Sequence, residues 1–400
     1  MKTLLIDDDP FALKLLALQL EQLGCAPVTL CESAQSAQTL LETESEAIGL
    51  VFCDLQMPDI DGVEFVRHLA RIRYRGGLVL VSGENGRILH TVQKLAQAHQ
   101  IDMIAALAKP VSLDQLRHVL ASNVSRRASA ARAARQAYAP SEIKRALAAG
   151  EFVNHYQPKV ALSTGDLVGV EALVRWQHPT AGLVFPDQFI ATVEEHDLID
   201  QLTRSVLTAA LRQARAWHDS GLEIQLAVNV SMDNLAALDF PDVVAQLATE
   251  AGVALSSLVL EVTESRLMKD VRAPLDILTR LRLKRISLSI DDFGTGHSSL
   301  AQLRDIPFDE LKLDRSFVNG ASQDPALRAI VEATLLMAHQ LDMKSVAEGV
   351  EERADWALLR MLGCDVAQGY LIGRPMPGRD LPGWWSAWQS RRVGLTGSTP

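Results

Sequence analysis

Two sets of residues in this sequence have the types and spacing to do chemistry. In the first, Asp7 and Asp8 follow the apolar run Lys2–Ile6, Asp54 follows Leu50–Cys53, Ser82 closes Leu78–Ser82, and Lys109-Pro110 follows residues 103–108. Three carboxylates at adjacent strand ends repel one another unless a divalent cation sits among them, and a nearby lysine and hydroxyl can steady an anion. The second set is scattered from Glu171 to Gln368. Glu171, Asn229, Glu261, Asp291 and Asp292 are all oxygen ligands, with no His or Cys among them, which suits Mg2+ or Mn2+ rather than Zn2+. The adjacent Asp291-Asp292 pair can bridge two ions, and two-metal sites activate water on one face of a phosphodiester while stabilising the leaving oxygen on the other. Lys312 adds a cation to orient that water or neutralise developing charge.

These residues need elements to position them. The chain has 400 residues, which implies two or three domains. Over residues 1–122, short apolar runs alternate with amphipathic stretches, such as Leu13, Leu16, Leu20 and Leu23 at helical spacing after Pro10. Strand–helix alternation of this kind predicts an α/β, doubly wound parallel sheet of the flavodoxin-like type, whose functional residues sit beyond the carboxyl ends of the strands. No Gly-rich phosphate loop follows the first strand, which argues against a nucleotide-binding sheet.

Residues 123–140 carry four arginines and no acid, and read as a basic helical linker. Residues 141–388 approach the ~250 residues of a (β/α)8 barrel. Strand candidates there end repeatedly in a polar residue: Leu167–Glu171, Ile224–Asn229, Leu258–Glu261, Ile286–Asp291, Glu310–Lys312, Lys344–Glu348 and Asp365–Gln368. Helical patterns such as Phe189–His218 lie between them. Unpaired buried charge is costly, so polar ends on successive units point to one shared centre at the barrel mouth. Residues 389–400 read as a flexible tail, after a Trp384-Trp385/Trp388 cap on the barrel bottom.

The first domain resembles a two-component receiver. The resemblance implies Asp54 as phosphoacceptor, Asp7 and Asp8 as ligands of one Mg2+, Ser82 and Lys109 as phosphoryl contacts with Lys109-Pro110 cis, and a cognate sensor histidine kinase or other phosphodonor. Ala106 stands where that family usually carries an aromatic switch residue, so the resemblance does not extend to the usual coupling of hydroxyl and aromatic movements. The larger domain carries Glu171-Ala172-Leu173-Val174-Arg175, Asp291-Asp292-Phe293-Gly294-Thr295-Gly296, Glu348-Gly349-Val350-Glu351 and Gln368-Gly369-Tyr370. On these strings it resembles the EAL family of cyclic di-GMP phosphodiesterases across its length.

That resemblance implies hydrolysis of cyclic di-GMP to linear pGpG. Glu171, Asn229, Glu261, Asp291 and Asp292 would hold two Mg2+ or Mn2+ ions together with Glu348, which is a candidate general base alongside Lys312. Gln157, Leu173 and Arg175 would contact the dinucleotide, and Gln368 would position active-site water. Glu264 would anchor the loop Asp292–Ser299, which in the family links the site to a dimer interface, so a homodimer or higher homo-oligomer is expected. His297 replaces the tyrosine common in that loop, without removing a ligand. Phosphorylation of Asp54 is expected to regulate the barrel. A catalytically silent cyclic di-GMP receptor is the alternative, disfavoured because every expected ligand and Lys312 are present.

Composition sets the limits. Lys+Arg number 39 against 49 Asp+Glu, a net charge of −10, which argues against a nucleic-acid polymer as partner. No apolar run approaches the ~18 residues of a membrane span, and three early aspartates are foreign to a signal peptide. Cys25, Cys31, Cys53 and Cys364 lack metal or redox spacing and read as thiols of a reducing compartment, so a cytoplasmic location is expected.

Overall fold

The computed structural model describes residues 2–25, 27–45, 47–83, 86–99, 101–120, 138–263, 272–294 and 300–396. Most of the expected linker, Glu264 and residues 295–299 of the Asp292–Ser299 loop, His297 included, lie outside them. The chain forms two compact units, divided between Gln136 and Ala137.

The first unit is a five-stranded sheet: β1 (Lys2–Ile6), β2 (Val28–Cys31), β3 (Ile48–Asp54), β4 (Gly77–Ser82) and β5 (Asp102–Ala108), in the order β2-β1-β3-β4-β5. All pairings are parallel, as expected. β3 and β4 are buried at every position, because helices cover both faces of a sheet of this kind. Successive side chains alternate between faces. Leu4 and Ile6 therefore join one core, with Val51 and Leu80, and Leu5 joins the other, with Phe52 and Val79. The helix Pro10–Gln22 starts at Asp9, whose side chain accepts the Phe11 N–H at 2.9 Å. Asp9 is thus occupied as a cap, leaving Asp7 and Asp8 at the strand end.

The second unit has ten strands: β6 (Phe152–Ala161), β7 (Leu167–His178), β8 (Gly182–Val184), β9 (Gln225–Val230), β10 (Leu258–Thr263), β11 (Ser287–Phe293), β12 (Glu310–Leu313), β13 (Lys344–Ala347), β14 (Val366–Ala367) and β15 (Met376–Pro377). Eight of them close into a barrel in the order β6-β7-β9-β10-β11-β12-β13-β14 and back to β6. The barrel departs from the expected series in its first strand, since β6 precedes Leu167 and runs antiparallel to both neighbours. The cause is a short link. Gly165 N–H donates to the Ala161 carbonyl at 2.7 Å and Ala161 N–H to the Asp166 carbonyl at 2.9 Å, and a connection this tight can only join antiparallel strands.

Two further expectations need correction. The pattern Phe189–His218 is two helices, Ile190–Glu195 and Ile199–Asp219, because Asp197 takes a left-handed φ of 56° and turns Leu198 into the core. The expected tail 389–400 is helical as far as Thr396, within the helix Leu381–Thr396. Trp388 anchors that helix: it is fully buried and its indole N–H donates to the Gly165 carbonyl at 2.7 Å. No helix among the described residues is long and apolar enough to cross a membrane.

Candidate active site

In the barrel, the strand ends bring most of the expected residues together. Glu171, on β7, accepts hydrogen bonds at both oxygens: Asn229 Nδ2 to Oε1 at 2.7 Å and Gln368 Nε2 to Oε2 at 2.6 Å. Gln368 Nε2 also donates to Gln157 Oε1 at 3.0 Å, and Gln157 Nε2 to the Gly373 carbonyl at 3.1 Å. Lys312 is 1% exposed, and its Nζ lies 2.7 Å from Glu348, 2.8 Å from Glu261, 3.0 Å from Asp291 and 3.7 Å from Glu171. An ammonium ringed by four carboxylates is held well above its usual range although burial alone would lower it.

Asp291 and Asp292 are neighbours on a strand, where consecutive side chains normally face opposite sides. Here the register of β11 against β12 shifts between Ile290 and Phe293, and Asp292 adopts a left-handed φ of 55°. The irregularity brings both to one place. Asp291, Asp292 and Glu348 each present an oxygen within 4.8 Å of the others. Backbone strain at a non-glycine residue costs of order 1–3 kcal/mol and is tolerated chiefly where function holds it.

Two glycines of the sequence motifs are explained by close approach. A Cβ on Gly349, whose φ is 64°, would meet Arg315 Cβ at 2.3 Å, and one on Gly369 would meet the Val350 backbone at 2.2 Å. Gly369 thus lets the Gln368 loop close on the Glu348 loop, and Gly349 lets the Glu348 loop close on Arg315.

The electrostatics favour added cations. Fully ionised, Glu171, Glu261, Asp291, Asp292 and Glu348 would exceed by three the charge of the two buried ammoniums among the described residues that face them, Lys312 and Lys159. Burial pushes Glu348 up to about 8, Lys312 opposing the shift while Asp291 and Glu171 add to it. Burial would also raise Glu261, but Lys159 and Lys312 together bring it down to about 2. Hard oxygen donors with surplus negative charge fit divalent cations such as Mg2+ or Mn2+.

A pocket of about 240 Å³ opens over these groups, lined by Gln157, Glu171, Leu173, Asp291, Glu348 and Gln368. Leu173 and Arg175 share β7 with Glu171. The Arg175 guanidinium lies 5.0 Å from the centre of the Phe185 ring and donates to the Val174 carbonyl at 2.8 Å. Arg315, Glu351 and Tyr370 also line the pocket, and Arg374 stacks on Tyr370 at 4.0 Å. Glu351 and Tyr370 close two of the sequence motifs but carry no expected role there, and Arg315, Arg374 and Lys159 stand outside the motifs, although the spacing of Lys159 two residues after Gln157 is a signal. His178 is structural: it pairs with Glu142 at 3.0 Å, and its Nδ1 accepts the Thr180 and Ala181 N–H groups at 3.2 and 3.1 Å.

The receiver-like unit has its own acidic cluster. Asp7, Asp8 and Asp54 each offer an oxygen within 4.8 Å of the others. Lys109 Nζ lies 2.7 Å from both Asp7 and Asp54, and these carboxylates raise the lysine against the opposing effect of burial. Ser82 is fully buried at the end of β4, its carbonyl accepting the Lys109 N–H at 2.8 Å, and the Lys109–Pro110 bond is cis.

Known proteins place both units. The response regulator receiver domain matches residues 3–121 and the EAL domain matches residues 141–375. The cyclic di-GMP phosphodiesterase RocR of Pseudomonas aeruginosa is 34% identical over 94% of this chain and 96% of its own length. NbdA, a cyclic di-GMP phosphodiesterase of the same organism, is 44% identical over 62% of this chain and 32% of its own. Among solved structures, the PaMucR phosphodiesterase in complex with c-di-GMP superposes with a TM-score of 0.58 at 44% identity, covering 60% of this chain and 98% of that one. With both units matched in the same order, and RocR alike from end to end, the chain belongs to the EAL family and carries an N-terminal response regulator receiver domain.

Proposed function

We propose that this chain hydrolyses one phosphodiester bond of cyclic di-GMP to give linear pGpG, using two divalent cations at the barrel mouth, under control of Asp54 phosphorylation. The observation that carries the reading is the ring of carboxylates around Lys312 beside the Asp291, Asp292 and Glu348 cluster. Glu171, Asn229, Glu261, Asp291, Asp292 and Glu348 are the groups that would hold the ions. When bound, Mg2+ or Mn2+ would supply Lewis-acid activation of water and of the phosphodiester.

The chain's own residues do the rest. Gln157 borders the pocket and Arg175 lies two residues beyond Leu173 on β7; both bind the anionic dinucleotide, and Leu173 offers an apolar contact. Gln368 is orientated by Gln157 and so holds a fixed amide against Glu171. Lys312, enclosed by acids, remains charged and neutralises charge developing on the phosphoryl oxygens. Glu348 Oε1, 2.7 Å from that ammonium, is the group placed to take up a proton. The similarity to RocR and NbdA, both cyclic di-GMP phosphodiesterases, supports the substrate.

For the receiver, the Asp7, Asp8 and Asp54 cluster with Lys109 supports one Mg2+ and an aspartyl phosphate formed from a sensor kinase or other phosphodonor. The test of the main reading is to incubate purified protein with cyclic di-GMP and Mg2+, then chromatograph the mixture. Formation of pGpG by wild type and its loss in Glu171→Ala and Lys312→Ala is expected. Binding of cyclic di-GMP with no product from wild type would instead establish a receptor.

A further inference from the structure

Glu261 is the most enclosed acid of the barrel, with no exposed surface. Each of its oxygens meets a different lysine: Oε1 takes Lys159 Nζ at 2.5 Å and Oε2 takes Lys312 Nζ at 2.8 Å. The two lysines are unlike. Lys312 is shared with Asp291, Glu348 and Glu171, whereas the one ion pair of Lys159 among the described residues is to Glu261. Lys159 is 5% exposed and enters from the opposite end of the barrel.

The antiparallel strand creates that approach. On β6, Gln157 stands opposite Glu171, but Lys159 stands opposite Gly169, near the start of β7. Two residues apart on one strand, both side chains face the barrel interior. Gln157 reaches the mouth directly, and the long stem of Lys159 carries its ammonium up to Glu261 from beneath.

We propose that Lys159 is a positioning residue: it holds Oε1 of Glu261 from below, so that Glu261 presents Oε2 to the barrel mouth while Lys312 stays with its upper partners. The inference rests on the reading of that mouth as a divalent-cation site. Groups that orient metal-holding side chains are typically worth 10–100-fold in metal affinity or activity. Charge alone predicts the opposite sign, since deleting an ammonium from an anionic cage strengthens its hold on a cation. The direction of the change therefore separates orientation from charge balance.

The experiment is calorimetric titration of Mn2+ into the metal-free full-length protein, without substrate, with Asp8→Ala present throughout to remove a ligand of the receiver's own cation site, for the otherwise wild-type chain, Lys159→Met and Lys159→Gln, with melting curves recorded beside them. Lys159→Met is expected to weaken Mn2+ binding by about tenfold or more, and Lys159→Gln, whose amide can still donate to Oε1, by less. Equal or tighter Mn2+ binding by Lys159→Met overturns the proposal. Should Lys159→Met not fold, Lys159→Gln decides alone: weaker binding at an unchanged melting temperature upholds the proposal, and equal or tighter binding overturns it. Failure of the otherwise wild-type chain to bind Mn2+ defeats the metal-site reading itself, and the proposal with it.

Discussion

Glu171→Gln changes one charge and almost no shape, and the hydrogen bonds around it determine how the protein responds. The Gly373 carbonyl fixes Gln157, whose Oε1 faces Gln368 Nε2, and that same Nε2 donates to Glu171 Oε2. A glutamine at this position must therefore turn its carbonyl to Gln368 and its NH2 to Asn229. The Asn229 amide then rotates to accept where it had donated at 2.7 Å. One reorientated hydrogen bond costs about 0.5–1.5 kcal/mol. Against that, burial first and the Glu261 charge second already raise Glu171 above its usual range, so removing its charge relieves a native-state penalty. The net effect is within about 1 kcal/mol, a melting shift of about 4 °C or less for a domain of this size.

The effect on cation binding is much larger. The negative charge available to hold a cation falls by one. A unit charge 4 Å from a divalent ion is worth up to ~8 kcal/mol gross at an effective dielectric near 20. Dehydration of the ion offsets most of this, but a surviving third still lowers metal affinity by about a hundredfold. Turnover at limiting Mg2+, followed as pGpG by chromatography, is expected to fall by about the same factor, with the melting curve nearly unmoved. A variant that keeps turnover within about tenfold of wild type, or melts more than ~10 °C lower, would refute this account of the site.

Three other perturbations follow from the same geometry. Gly369→Ala drives a methyl to 2.2 Å from the Val350 backbone, which has no room to move between Glu348 and Gln368. A loss of about 3 kcal/mol, or roughly 6–12 °C in a thermal melt, is expected together with loss of turnover. Replacing Mg2+ by Ca2+, which takes more ligands at longer and looser distances, should suppress pGpG formation without unfolding the protein, and added Mg2+ should restore it. Asp54→Asn should abolish uptake of a phosphoryl group from acetyl phosphate, read by intact-mass spectrometry, if the Asp54 carboxylate beside Lys109 is the acceptor as proposed. Uptake unchanged by that substitution would move the modification to another residue.

The polar ends of the barrel strands were legible because apolar strands seldom end in charge without a shared reason, and Glu171, Glu261, Asp291, Lys312 and Glu348 do meet in space. The alternation of apolar runs in residues 1–122 likewise leads to the parallel sheet, since strands buried on both faces leave a near-continuous hydrophobic signal. Local breaks were harder to read. Asp197 carries no glycine-like signature, yet its left-handed backbone splits the helix after Phe189. Three tryptophans signalled a cap, but the hydrogen bond from Trp388 to Gly165, which secures the C-terminal helix, joins residues far apart in sequence.

β6 was hidden for a different reason, and the same reason concealed Lys159. Pro158 sits within its run, and a proline normally marks an edge or a break because it cannot donate to a ladder. In the barrel, β6 pairs with β14 at Val160 and Ala161 and with β15 at His155 and Tyr156. Pro158 falls in the gap between those two partners, where no N–H is called for. A closed barrel thus accommodates a residue that would interrupt a continuous ladder, because two short strands share one side of β6. With the strand restored, the period of two from Gln157 to Lys159 places both side chains inside, one at the mouth and one below it. The lower position is what lets Lys159 grip Glu261 from beneath while Lys312, on β12, grips its other oxygen.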